Sequence, residues 1–361
     1  MRIKSCWNIL WWGSLLLLFS SCTQEMSDKF EVTPDAYGKP NNIMLVTDQY
    51  NWETTIGDSF RVNFEALYPV TPQPEFIYDI RYTKPTDFEG VKIYRTNRAI
   101  IILAALDDTN DKAAKIIREA IGEKNVARAT TDPKYRMAVH NNRWATDQIV
   151  VYWFAPNRSE LLKTVQEDYQ KVMSVFDKAD AELYLQQIYT PGQNLEVGAI
   201  LRDSFQLNLK IPKAYTMAHK DSTTMWLRRE TDKISSNIFI HILPYADSTL
   251  AVPEQHKYIR NKLTRTYFAT WVDNSYMQID DRVLPMYYQP MFLNKKQTLQ
   301  VRGIWGMVND FMGGSFVTYM IEDEANQRVI FLDGFVHAPG QKKRPEMRKL
   351  DIVFSTLDTT N

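Results

Sequence analysis

Asn97-Arg98-Ala99-Ile100-Ile101-Ile102-Leu103 opens an apolar run that continues unbroken to Leu106. The eight residues from Ala99 to Leu106 cannot cross a bilayer, which takes roughly 20. A short continuous run of this kind reads as a central, buried strand. Upstream, Ile43 to Thr47 reads as another buried strand. Trp52, Ile56, Phe60, Phe64 and Leu67 recur at helical spacing and predict an amphipathic helix that ends before Pro69. Phe76 to Tyr82 and Val91 to Tyr94 are read as strands. Downstream, Asp111 is placed to cap a helix running to Ile121, with Gly122 just past its end. Tyr135 to Asn141 and Gln148 to Phe154 predict a hairpin, and a helix is expected over Ser159 to Phe176.

The second half echoes the first. Asn237-Ile-Phe-Ile-His-Ile-Leu243 resembles the opening stretch, Asp203-Ser-Phe-Gln-Leu-Asn-Leu209 resembles Asp58-Ser-Phe-Arg-Val-Asn-Phe64, and the surroundings of Lys257, Ile259 and Arg260 resemble those of Lys115, Ile117 and Arg118. The three offsets, 140, 145 and 142 residues, are nearly constant. Ala155-Pro156 and Ala338-Pro339 recur at 183, which places an insertion rich in Tyr, Met and Pro near residues 268–299. The expected fold class is therefore α+β: two similar α+β units, related by tandem duplication, with mainly antiparallel sheets and helices packed on one side. Expected bounds are 41–180 for the first unit and 195–361 for the second. The linker runs from Ala181 to Asn194, and Pro191-Gly192 marks the break.

Composition limits the function classes. The 361 residues carry 43 Lys+Arg against 43 Asp+Glu, with 44% hydrophobic and 24% charged residues. These are the proportions of a folded globular chain, and they exclude collagen-like, disordered and multi-span membrane classes. The absence of a basic excess speaks against a nucleic-acid partner. A chain this long buries enough core to need no disulfide or metal staple.

The N-terminus reads as an address. Arg2 and Lys4 precede an apolar segment from Ile9 to Phe19, and Ser20 and Ser21 lead to Cys22. The layout is that of a secretory signal, and Leu18-Phe-Ser-Ser-Cys22 resembles the lipobox of bacterial lipoproteins. In that class the signal, here residues 1–21, is removed and the cysteine is acylated, palmitate being a usual acyl group. Of the two cysteines, Cys6 lies inside the signal. A lone exported thiol at Cys22 has no internal disulfide partner, and acylation accounts for it. Residues 22–40 form a tether. The expectation is a body held to the membrane by its lipid, with Thr23 favouring the outer membrane and either its periplasmic or its cell-surface face.

No catalytic set is legible. His140, His219, His241, His256 and His337 form no zinc motif, and neither a nucleophile elbow nor a phosphate-binding loop is present. No metal or other cofactor is expected. Glu322-Asp323-Glu324 lies between two predicted strands and reads as a hairpin tip in water. Met312-Gly313-Gly314 reads as a turn, its glycines supplying positive φ, and Gly334 as a bulge or a close backbone approach.

The stretch from Val301 to Leu350 is the densest in chemistry-bearing residues. It holds Arg302-Gly-Ile-Trp305, Asn309-Asp310-Phe-Met-Gly313-Gly314-Ser-Phe316, Asp333-Gly-Phe-Val-His-Ala-Pro339 and Lys342-Lys343-Arg344. These strings resemble an uncharacterised family of bacterial outer-membrane-type lipoproteins, domain-of-unknown-function family 4837. The resemblance extends to Asn41-Asn-Ile-Met-Leu-Val46, Trp52…Gly57-Asp58, Ile211-Pro-Lys-Ala-Tyr215 and Trp226-Leu-Arg228, with Ser315 standing where proline is expected. It implies a lipoprotein of no assigned activity.

The candidate binding residues are Trp305, Asp310, Asp333, His337 and Arg344, expected beside the glycine turn. Trp271, Tyr287 and Tyr288 are expected to form an aromatic patch in the insertion. The leading functional expectation is a lipid-anchored, non-enzymatic envelope protein that binds a protein partner or joins an assembly. The alternative is a lipoprotein that binds a glycan or another small ligand.

Overall fold

The computed structural model describes residues 33–245 and 253–358. The signal, Cys22 and the tether as far as residue 32 lie outside the described residues.

The first unit runs β1 (Asn42–Val46), α1 (Gln49–Glu53), α2 (Thr55–Phe64), β2 (Asp79–Thr83), α3 (Pro85–Gly90), β3 (Ala99–Ala105), α4 (Lys112–Ile121), α5 (Glu123–Thr131), β4 (Met137–Asn141), β5 (Ile149–Ala155) and α6 (Arg158–Tyr189). Its strands are ordered β2-β1-β3-β5-β4, and β4 alone runs antiparallel to its neighbour. β3 is the central strand and every residue in it is buried. Ala99, Ile101 and Leu103 face Phe60, Phe64, Leu161 and Val165 of α2 and α6. Ile100, Ile102 and Ala104 face Ala113, Ile117, Val126 and Ala129 of α4 and α5. A mostly parallel sheet needs this cover on both faces, which is why β3 reads as a continuous apolar run.

The second unit runs α7 (Leu195–Phe205), β6 (Thr216–Lys220), β7 (Thr224–Glu230), β8 (Ser235–Pro244), α8 (Pro253–Tyr267), β9 (Tyr276–Ile279), β10 (Tyr287–Leu293), β11 (Lys296–Val308), β12 (Gly313–Asp323), β13 (Arg328–His337) and α9 (Arg344–Ser355). Its strands are ordered β10-β11-β12-β13-β8-β7-β6, with β9 paired to the last residues of β11, and every pairing is antiparallel. α7 and α9 cover one face through Leu201, Phe205, Leu350 and Phe354. α8 covers part of the other through Ile259 and Leu263.

The chain is thus α+β, with a sheet in each unit. The antiparallel expectation describes the second sheet, whereas four strands of the first run parallel. Helices lie on both faces of each sheet and not on one. The likeness between the halves is one of local strand-and-helix strings, because β3 sits among parallel neighbours and β8 among antiparallel ones. A tandem duplication would have kept these pairings, so the duplication is set aside.

Several local readings also change. Lys92–Thr96 is a 3₁₀ turn, and the expected linker is helical as far as Tyr189, the chain breaking only at Gly192 with φ of 101°. The 268–299 stretch supplies β9 and β10, both paired with β11. Asp323 is fully buried and paired with Arg328 at 2.7 Å and Lys296 at 2.8 Å, so the acidic triplet is not a wholly solvated tip.

The units meet along α9. Both oxygens of the buried Glu75 carboxylate accept backbone N–H groups of Lys343 and Arg344, at 2.6 and 3.0 Å, so the first unit caps a helix of the second. Arg344 also donates to the carbonyls of Phe76 and Ile77 and pairs with Asp79. Arg302 donates to the hydroxyl of Tyr68 at 3.1 Å and pairs with Asp351 at 2.7 Å.

Candidate functional site

The face of the second sheet that carries α8 is built by alternation. Trp226 and Arg228 of β7, Ser235, Asn237 and Phe239 of β8, Trp305 and Met307 of β11, and Phe335 and His337 of β13 all lie on it, as the period of two requires. α8 covers this face only as far as Asp333 and Phe335. The fully buried Arg260 on α8 donates twice to Asp333, at 3.1 Å each, while Thr318 donates to the same carboxylate at 2.5 Å. The Arg260 guanidinium also lies 3.8 Å from the centre of the Phe316 ring. A buried pair satisfied in this way fixes the helix on the sheet.

Beyond the end of α8 the sheet lies open as a cleft of about 390 Å³. Its floor is a herringbone of rings. Trp226 meets Phe268 edge-on at 4.8 Å, Phe268 meets Phe335 at 4.8 Å, Phe335 meets Trp305 at 5.8 Å, and Trp305 tilts toward His337 at 6.2 Å. Met277, Met307 and Met312 fill the gaps between rings. One wall is the loop that leaves α8, carrying Thr270 and Trp271. The opposite wall is the β11–β12 turn, carrying Asp310, Phe311 and Met312. Thr270 donates to Asp310 at 2.9 Å and Asn309 to the Asn274 carbonyl at 3.3 Å, so the two walls are tied together. Trp271, which lines the cleft, is 94% exposed, and Phe311, between Asp310 and Met312 on the turn, is fully exposed.

The polar groups around these rings are few and oriented. The Asp310 carboxylate also accepts the Phe311 N–H at 2.7 Å. His337 lies 2.9 Å through Nδ1 from the Gly313 carbonyl, which can only accept, so Nδ1 carries the proton and Nε2 of the neutral ring is left as an acceptor. Asn237 accepts from the Trp226 indole at 2.9 Å and donates to Ser235. Arg228 pairs with Glu230 in solvent, which leaves the cleft without a dominant charge. Gly314 closes the wall by contact, since a Cβ there would meet the Val336 carbonyl oxygen at 1.8 Å. The positive φ of the turn belongs to Asn309, at 58°, and to neither glycine.

Of the five residues expected to converge, Trp305, Asp310 and His337 line this cleft. Asp333 shares the face but is sealed under α8. Arg344 lies at the junction of the units, where it pins α9. Trp271 reaches the cleft, whereas Tyr287 lines the junction and Tyr288 packs into the core beneath α8. Trp226, Phe268 and Phe335 escaped the sequence reading because a cleft floor and a core strand share one alternating pattern.

A second constellation lies at the β6–β7 turn. Thr224 is 2.8 Å from His241 Nδ1 and 2.9 Å from the Tyr267 hydroxyl, which donates to Asp221 at 2.9 Å. The His241 ring titrates below its ordinary range through burial, and hydrogen bonds hold Asp221 well below the usual carboxylate range despite its desolvation. Thr224 is fully buried, so this chain of bonds ties the turn to the end of α8 and offers no accessible nucleophile. Among the described residues, no group of three or more His, Cys, Asp or Glu is placed to hold a metal ion. No described helix is long and apolar enough to cross a membrane.

The chain is an α+β protein whose antiparallel sheet carries an aromatic cleft. Residues 194–356 match the model of a domain of unknown function, DUF4837, the family whose strings the sequence resembles. Residues 36–189 match the model of a second domain of unknown function, DUF8532, so the DUF4837 match does not extend over the first half as the resemblance implied. No curated protein matches the sequence. Among solved structures, the Saccharomyces cerevisiae Ran-binding protein Mog1p and the Mog1 E65A mutant are each 11% identical to it. Each match covers 42% of this chain and 85% of that one at a TM-score of 0.26.

Proposed function

We propose that the chain is a lipid-anchored envelope protein, held to the outer membrane through Cys22, that binds a ligand or partner in the aromatic cleft without transforming it. The observation that carries the binding part is the cleft itself, a concave apolar floor with a few fixed polar groups at its rim. Trp271 and Phe311 support it, because large rings left in water at a cleft mouth are surfaces awaiting cover. The anchor rests on the lipobox-like Leu18-Phe-Ser-Ser-Cys22. The non-enzymatic part rests on the sequence, in which no catalytic motif is legible, and in the lining the His337 Nδ1 is taken up by the Gly313 carbonyl.

In-cell crosslinking and membrane fractionation test both parts. Cys22→Ala is expected to move the chain from the membrane to the soluble fraction and to raise its gel mobility. Trp271→Ala is expected to leave fractionation unchanged and to remove the crosslinked species. An anchored Cys22→Ala chain overturns the first part, and an unchanged crosslink pattern for Trp271→Ala overturns the second.

A further inference from the structure

We propose that the cleft's ligand is a neutral saccharide, one ring of which stacks on Trp271 while its hydroxyls bond His337 Nε2 and the Asp310 carboxylate. This rests on the reading of the cleft as the binding site and names the chemistry of its occupant.

The argument is one of complementarity. Trp271 makes no packed ring contact and is 94% exposed, so it offers a flat apolar face with nothing yet against it. The same cleft is lined by two acceptors whose orientation the fold has already set. His337 is locked by the Gly313 carbonyl, and Asp310 by Thr270 and the Phe311 N–H. An aliphatic or aromatic peptide side chain would satisfy the ring face but leave His337 Nε2 dehydrated without a donor and add none to Asp310 beyond Thr270 and the Phe311 N–H, which is costly. A cationic headgroup would find the Asp310 carboxylate already bonded by Thr270 and the Phe311 N–H, with no second carboxylate in the cleft lining. An anionic one would face Asp310. A pyranose ring presents C–H bonds on its face and hydroxyls along its edge, so it meets the indole and both acceptors and brings no charge. The locked acceptors also supply selectivity, because a site built to bond hydroxyls rejects analogues that lack them.

The test is calorimetric and fluorimetric titration of the full chain in detergent with a panel of neutral hexasaccharides: α- and β-glucans, mannan, galactan and chitin fragments. A peptide bearing Trp and Phe is titrated in parallel. At least one saccharide is expected to bind saturably and to shift tryptophan emission. Trp271→Ala is expected to weaken it tenfold or more, and His337→Phe to weaken it while leaving peptide binding unchanged. Val62→Ala, an exposed position on α2, is expected to leave it unchanged. Saturable binding of the peptide alone, lost in Trp271→Ala, overturns the saccharide and keeps the cleft. Binding of neither, or saccharide binding indifferent to Trp271, overturns the cleft reading as well.

Discussion

His256 shows how one side chain can carry a pH response unrelated to any site. It is fully buried between the Phe316 and Phe331 rings, at 6.0 and 6.1 Å, and neither ring nitrogen has a hydrogen-bond partner. Burial, aided by the nearby Arg260 charge, lowers its pKa from 6.5 to about 3. Between those values the unfolded chain holds a proton that the folded chain refuses, so acidification below pH 6.5 favours unfolding. Asp111 works in the opposite sense. Burial, joined by the charges of Asp48 and Asp108, raises its carboxyl from 3.8 to about 6. The folded chain therefore holds a proton there that the unfolded chain releases, and acidification from pH 6 toward 4 favours folding. The two contributions oppose each other across pH 4–6. His256→Phe is expected to lift the stability of the chain relative to wild type by on the order of 1 kcal/mol per pH unit below 6.5. Asp111→Asn, which keeps the cap on Ala113, is expected to make acid destabilisation steeper. Urea unfolding at pH 7, 6 and 5 reads both, and parallel curves for all three chains would show that neither group is set by its burial.

At the scale of elements, α9 depends on a carboxylate from the other unit. Glu75 accepts the Lys343 and Arg344 N–H groups, a cap that the residue at the helix's own N-cap position, Lys343, cannot supply. Glu75→Ala is expected to destabilise the chain by about 1–2 kcal/mol. Glu75→Gln, which retains an acceptor, should recover part of this, and a stability equal to wild type for Glu75→Ala would remove the cap from the account. No sequence pattern announces such a contact, because Glu75 and Arg344 are 269 residues apart. What was legible was local. Ile56, Phe60 and Phe64 fall on the buried side of α2, and Asp111 and Gly122 bound α4 with the cap and the positive φ expected of them. The direction of strand pairing was not legible, since a central strand is apolar throughout whichever way its neighbours run. In the cleft, Trp305, Asp310 and His337 were legible because they cluster within one hairpin and the strand beside it. Their floor partners, Trp226 and Phe268, come from β7 and the end of α8, and only the folded sheet brings them together.

At the scale of the molecule, the question is whether the two units fold as one. Their junction is polar and interlocked. Arg302, buried, spends its donors on Gln300, Tyr68 and Asp351, and Tyr68 comes from the first unit while the others come from the second. Arg348 reaches across to Asp177 at 2.9 Å, and Lys342 to Asp79 at 2.8 Å. The exposed pairs contribute little, but the buried ones cannot be opened cheaply. Parting the units would strip Arg302 of the Tyr68 hydroxyl and α9 of its cap in the same event. The native chain is therefore expected to unfold in a single step, with far-ultraviolet circular dichroism and tryptophan emission tracing one curve. Trp153 reports from the core of the first unit and Trp305 from the second, so emission samples both. Tyr68→Phe leaves a buried guanidinium N–H without an acceptor, a loss of about 1–3 kcal/mol. Combined with Glu75→Ala, it should weaken the junction enough to separate the two probes into distinct transitions, while each single variant keeps them together. Two transitions in the native chain would mean that the junction contributes too little to couple the units.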